Sequence, residues 1–303
     1  AILPDITPAG RIGRWSGWGW GIGYAGGLVS ITAALVLFVQ TDAPFLGLDK
    51  STAEHVRIVG PMTAVWLLVF ALPLFLWTPD RPPRVAGLGL QIRVGLAEIG
   101  RTFREARSHA NVVRFLIARM LYADGLTTVF VFGGIYAAGV FGMELAEVLL
   151  FGIVLNLTAG AGAFVFGWVD DYLGPKRTIL FALAGLFVTA TGTLVVTSET
   201  SFWIFGSALG VFVGPAQASS RSFLSRLAPT AQRTEFFGLY SLTGKATAFL
   251  GPALVATLTA VTQSQRWGLS VLLLFFAAGG ALLLTVREPE PVANSNAGSD
   301  AFR

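Results

Sequence analysis

Eight runs of about twenty mainly apolar residues, separated by short charged segments, limit what this chain can fold into more than any other feature. They cover residues 17–39, 56–78, 112–140, 148–169, 178–196, 201–219, 236–261 and 267–286. A helix needs roughly 20 apolar residues to cross a hydrocarbon core of about 30 Å. Barrel strands are shorter and alternate with period two, and these runs do neither. Because lipid cannot pair with backbone polar groups, the expected fold class is all-α, a polytopic transmembrane helix bundle. Composition agrees, with 54% hydrophobic and only 13% charged residues, against about a quarter charged in a soluble domain. A net charge of +4 is too small to argue for a nucleic-acid partner, and a chain without cysteine has no disulfide or thiol chemistry.

The placement of basic residues predicts orientation. Arg81, Arg84, Arg93, Arg101, Arg104 and Arg107 fall in the long segment 79–111. With Lys176, Arg177, Arg221, Arg226, Arg233, Arg11, Arg14, Arg287 and Arg303 they share one side, expected to be cytoplasmic, and Lys50, Arg57 and Arg266 take the other. Within the long segment, Ile92, Leu96, Ile99, Phe103 and Ala106 recur at helical spacing, which predicts an amphipathic helix on the inner membrane surface. The polar tail 287–303 reads as disordered. The chain opens on Ala1 without a methionine or targeting pattern, which predicts a piece of a longer protein.

Small residues four apart let helices approach closely in lipid, where apolar faces have no hydrophobic reason to meet. Gly19, Gly23 and Gly27 in the first run, and Gly206, Gly210 and Gly214 in the sixth, are expected to pack helices in this way. The spacing of Gly21, Gly23 and Gly26 imitates a dinucleotide fingerprint, but no strand precedes it. No cofactor is expected. His55 and His109 lie outside the runs and no Cys, His or carboxylate group has ligand spacing, so no metal site is expected either.

Ionisable groups inside a span are costly and usually face a cavity or a partner. From the predicted helix starts, Asp124 lies ~18 Å, Arg119 ~10 Å and Lys245 ~14 Å along the axis, so Asp124 and Lys245 both fall near the midplane. Tyr122 and Asn156 share that depth, and Gln217 lies nearer the cytoplasmic end. These six residues form the candidate substrate or proton pathway. An Asp124–Lys245 pair, or an Asp124–Arg119 pair, is either a permanent structural lock or a binding and proton-exchange site. Arg221 and Glu235 form a candidate cytoplasmic gate or a solvated face.

The turn after the fourth run carries the most specific motif. Gly167 is followed by Asp171, Gly174, Lys176 and Arg177, with Pro175 suited to the first turn of the next helix. It resembles the signature loop of the major facilitator superfamily, although Tyr172 and Pro175 stand where basic residues are usual. The resemblance implies twelve spans in two six-helix halves, of which this chain holds eight. Residues 1–78 would carry the last two spans of the first half, 79–111 the basic loop between halves, 112–286 the second half and 287–303 the tail. Four earlier spans would be partners from the same protein. In that scheme each half's signature loop locks onto the other half, which sets Asp171 near Arg14 to Gly17. The stretches at 3–27, 114–143 and 214–252 are similar to the vacuolar-effluxer-like branch, whose fungal members are linked to autophagy and amino-acid export.

The resemblance implies a secondary active transporter of a small polar solute, amino acids being one class, with protons as a further candidate partner. The expected setting is a lipid-embedded protein of a bacterial inner membrane, with both ends of this chain cytoplasmic from the placement of its basic residues. An intramembrane enzyme would need a nucleophile and base, or a metal site, at one depth, and none is legible. A non-transporting scaffold or receptor would not need charges at the midplane.

Overall fold

A computed structural model describes residues 3–8, 10–41, 45–77 and 109–288. The segment read as an amphipathic surface helix, its arginines and the tail beyond Glu288 lie outside the described residues. Among those described, the long elements are all helices: α1 (Ile12–Ala34), α2 (Val59–Trp77), α3 (Ala110–Phe141), α4 (Leu145–Leu173), α5 (Pro175–Val195), α6 (Glu199–Leu227), α7 (Arg233–Ala246), α8 (Leu250–Thr262), α9 (Gln265–Leu269) and α10 (Val271–Leu284). They make eight segments long and apolar enough to cross a membrane. The chain is an integral membrane protein with an all-helical fold.

Local chemistry sets the turns. Glu144 caps α4 in a reciprocal box with Glu147, whose carboxylate accepts from the Glu144 amide at 2.8 Å. Gly142 ends α3 at φ 70°, in the left-handed region. Gly174 takes φ 89° between α4 and Pro175, the first residue of α5. This is the tight bend that the signature turn predicts, since a side chain would be strained at that φ.

The run at 236–261 is not one helix. It breaks at Thr247, whose φ of −108° and ψ of 1° leave the helical region, and α8 starts three residues later. Pro252 explains the break: it has no amide hydrogen, and its ring would collide with the carbonyl four residues back, so it tolerates only a first turn. The last run also divides, into α9 and α10, at Ser270.

Packing runs from α1 to α4, then to α6, α5, α10 and α3. The core is apolar and dense, with Phe115, Phe223, Phe236 and Leu186 at 0% exposure. The α4–α6 seam uses the predicted glycines. A Cβ on Gly214 would meet Ala159 O and lie 2.8 Å from the Ala163 Cβ. Gly210 faces Leu155 and Thr158, and Gly206 faces Phe151. By contrast α2 buries none of its described residues, and Phe75 and Trp77 stand exposed on it.

The glycines of α1 require a correction. The face carrying Gly19, Gly23 and Gly27 was expected to pack, but within the described residues all three are exposed, and a Cβ on Gly23 or Gly27 would meet none of their atoms within 4 Å. The packing face is Gly13, Gly17 and Gly21. Both sets are spaced by four, and they lie two residues apart, about 200° around the helix. Spacing defines each face but does not say which one a neighbour covers.

Candidate functional site

The signature turn closes one end of the bundle. Asp171 Oδ1 accepts from the Gly13 amide at 2.8 Å, and Oδ2 accepts from the Arg14 amide at 3.2 Å and from Arg14 Nε at 2.8 Å. The carboxylate therefore sits on the first turn of α1, next to the segment that the motif predicted. A carboxylate at a helix N-terminus is stabilising by about 0.3–1 kcal/mol when exposed and more when enclosed; here the side chain is only 7% exposed. Gly167 lets the backbones touch, since a Cβ there would lie 3.0 Å from Arg14 Cα. Lys176 Nζ donates to the carbonyls of Leu284 and Val286 at 3.0 and 2.6 Å, capping α10. Arg177 is exposed on the first turn of α5.

Sequence reasoning passed over Asp170. Its carboxylate is buried, accepts from Ser222 Oγ at 2.9 Å, and pairs with Arg226 at 3.2 Å. Arg226 also reaches Asp171 at 3.6 Å, so one guanidinium of α6 bridges two carboxylates of α4. Two adjacent acids in the motif were the available signal. Arg221 does not act on the solvated face: its Nε and a terminal nitrogen donate to Ser16 Oγ and Ser16 O at 3.1 and 3.0 Å. Ser16 in turn donates to Ala218 O at 2.7 Å. Glu235 lies in the first turn of α7. Trp18 stacks on Phe164 and meets Trp168 edge-on, at centroid distances of 5.7 and 5.6 Å, which completes an aromatic seal between α1 and α4.

Away from this seal, α1, α3, α6 and α7 line an open cavity of about 480 Å³. Arg119, Tyr122, Gln217 and Lys245 line it, four of the six residues proposed as a pathway. A second cavity of about 360 Å³, which shares Trp20 and Tyr24 with the first, is lined by Asn156, Arg221, Gly19, Gly23 and Gly27. Among the described residues, the open glycine face of α1 borders this second cavity.

The polar groups on these walls are held in place. Arg119 donates to Tyr240 O at 2.8 Å, and its guanidinium lies 3.6 Å from the centre of the Tyr240 ring. Gly244 makes room for it, since a Cβ there would collide with the guanidinium. The Tyr122 hydroxyl and Ser220 Oγ are 2.6 Å apart, and Gln217 Nε2 donates to the Tyr24 hydroxyl at 3.3 Å. Asn156 spends its amide on Gly152 O at 2.8 Å. Trp20, Tyr24, Tyr240 and Ser220 were not singled out in the sequence; the aromatic residues beside the glycines of α1 were the visible hint.

Asp124 needs the second correction. It is 1% exposed, lines neither cavity, and forms no ion pair with Lys245 or Arg119 among the described residues. Its carboxylate accepts instead from Thr247 Oγ1 at 3.2 Å, at the break between α7 and α8. Matching depth was inferred along straight helices, and the break turns Thr247 towards Asp124. Lys245 lines the cavity without a hydrogen bond or ion pair among the described residues. It is exposed in the last turn of α7, where a cation is favourable at the helix C-terminus.

Comparison with known proteins fits this geometry. A family model described as vacuole effluxer Atg22-like matches residues 7–292. The uncharacterized MFS-type transporter YxiO of Bacillus subtilis is 24% identical over 288 residues, covering 95% of this chain and 66% of that protein. Autophagy-related protein 22 of Coccidioides immitis is 29% identical over 266 residues, covering 80% of this chain and 43% of that protein. The chain thus spans from under half to about two thirds of the length of these relatives. Among solved structures, the E. coli fucose:proton symporter FucP superposes with a TM-score of 0.71 at 10% identity, over 95% of this chain and 72% of that one. That likeness concerns the fold, which is the major facilitator fold. With nearly its whole length matched by the family model, the chain belongs to the vacuole effluxer Atg22-like family.

Proposed function

We propose that the protein is a secondary active transporter that moves a small polar solute by alternating access, seen here with its signature-loop end closed. The observation that carries this reading is an asymmetry along α1. One end is bonded to α4 and α6 through Asp171, Ser16 and Arg221, while the other end borders a cavity with cationic and aromatic walls. Alternating access needs such a seal to be reversible, and a few charge-assisted hydrogen bonds between otherwise smooth glycine surfaces suit that need.

In this reading α1 and α2 are the last two spans of a first half, and α3 to α10 form the second. The seal then joins the two halves. The basic loop 79–111 and both ends of the chain face the cytoplasm, lipid surrounds the apolar exterior, and the closed state opens outward. Amino acids are the first solute class to test, from the likeness to autophagy-related effluxers. A proton taken up at Asp124 would cancel the charge that Thr247 now answers, linking protonation to the joint between α7 and α8. Counterflow of labelled amino acids and other small polar solutes into proteoliposomes of the natural protein tests the reading. Exchange that depends on an intact Asp171 is expected. Folded protein that exchanges no solute of any class, with or without a pH gradient, would reject it.

A further inference from the structure

One arginine belongs to both the seal and the cavity. Arg221 donates from Nε to Ser16 Oγ at 3.1 Å and from Nη2 to Ser16 O at 3.0 Å, which ties α6 to the closed end of α1. The same side chain lines the smaller cavity, together with Gly19, Gly23 and Asn156. Nη2 lies at that wall, because a Cβ on Gly19 would come within 3.3 Å of it. Glycine at position 19 therefore puts no side chain between the guanidinium and the cavity. This space adjoins the larger one, with which it shares Trp20 and Tyr24.

Ser16 can release this arginine without orphaning a buried group. Its hydroxyl also donates to Ala218 O at 2.7 Å, and its carbonyl sits inside α1, where the amide four residues on serves it. Both acceptors that Ser16 offers to Arg221 are neutral. A carboxylate accepts charge-assisted bonds roughly twice as strong, and an arginine fork meets it with two parallel bonds. A carboxylate reaching this wall therefore competes well for the guanidinium.

We infer that Arg221 couples solute binding to the opening of the seal. The carboxylate of an amino-acid solute takes the guanidinium from Ser16, and the closed end of α1 loses two of its bonds. The solute favours the open state because its bond to Arg221 is made there and not in the closed state. Linkage makes the effect mutual, so whatever opens the seal tightens the solute by the same factor. The inference rests on the transport reading and adds the group through which the solute reaches the seal.

The test is hydrogen–deuterium exchange at the start of α1 in the purified natural protein in detergent, with the standard amino acids added one at a time. The Gly13 and Arg14 amides are bonded to Asp171 in the closed state, so their exchange reads the seal directly. At least one amino acid is expected to speed this exchange about tenfold, within the usual range of coupling. Its carboxamide derivative, which keeps the ammonium group and side chain but not the acid charge, should leave exchange unchanged. Asp171→Asn should tighten binding of that amino acid by a similar factor, measured by isothermal titration. Arg221→Gln should exchange fast with or without the solute and should abolish the tightening by Asp171→Asn. Equal effects of acid and carboxamide would overturn the inference, as would binding that leaves exchange unchanged, or a response that survives in Arg221→Gln. Should Arg221→Gln fail to fold, the acid and carboxamide comparison and Asp171→Asn still decide. If no amino acid changes exchange while counterflow of another solute succeeds, this inference is rejected and the transport reading stands. If counterflow succeeds with no solute, the transport reading falls and takes this inference with it.

Discussion

The two faces of α1 are both lined with glycine and do opposite things. Near its start, Gly13, Gly17 and Gly21 press against α4 so closely that a Cβ on Gly17 would meet Ala163 O and lie 3.1 Å from Gly167 Cα. On the opposite face, Gly23 and Gly27 meet nothing within 4 Å among the described residues. Glycine is used on the first face for contact and on the second for space. The difference teaches that one glycine-rich helix can carry both a seal and a cavity wall, with polar anchors deciding which is which. Asp171, Ser16 and Arg221 hold the closed end, and none of the described hydrogen bonds joins α1 to α4 beyond it.

The sharpest way to break this contrast is to add one methyl group on each face. Gly17→Ala forces backbone apart and should destabilise the protein by about 1–3 kcal/mol, the range for overpacking. Gly23→Ala enters open space, relieves the helical cost of glycine, and should be neutral or stabilising by up to about 1 kcal/mol. Thermal unfolding of the natural protein in detergent reads both. Equal losses at the two positions would show that the two faces of α1 are equivalent.

Asp171→Asn comes next. It keeps the shape but removes a charge that accepts three hydrogen bonds on Gly13 and Arg14. Hydrogen bonds to charged groups contribute about 1.5–3 kcal/mol, enough to shift a closed end towards open by one or two powers of ten. The chain has no cysteine, so a single cysteine replacing buried Ser16 reports directly. It should resist a thiol reagent in the parent and react at least tenfold faster with Asp171→Asn. An unchanged rate would mean that the glycine contact alone holds the seal.

Thr247→Val probes a joint outside the seal. It leaves the buried Asp124 carboxylate without its side-chain donor at the break, a loss of about 1–3 kcal/mol. The prediction is a lower unfolding temperature with Ser16Cys protection unchanged, since the joint lies on α7 and α8 rather than on α1. Exposure of that cysteine would instead show the two regions to be coupled. The smallest effect is expected from labelling alone: cysteines replacing exposed Tyr172 and Glu199 should react from opposite sides of the membrane without loss of stability. Reaction of the cysteine at position 172 from outside with an impermeant reagent, with position 199 protected, would reverse the assignment of the closed end to the cytoplasm.

Much of this was legible before any coordinates. The eight spans follow from run length, because lipid permits few other fates for twenty apolar residues. The signature turn was readable because its parts are local: Gly174 must bend, Pro175 must start a helix, and Asp171 must find a helix terminus or a cation. Gly206, Gly210 and Gly214 packed as their spacing suggested. The sequence alone could not choose between the two glycine faces of α1, nor see that Pro252 would break the seventh run and hand Asp124 to Thr247 rather than Lys245. The physical reason is the same in each case. A helical repeat assigns residues to faces and depths within one helix, while partners across helices depend on how each helix is rotated and where it breaks. Those are decided by the packing of all the helices together.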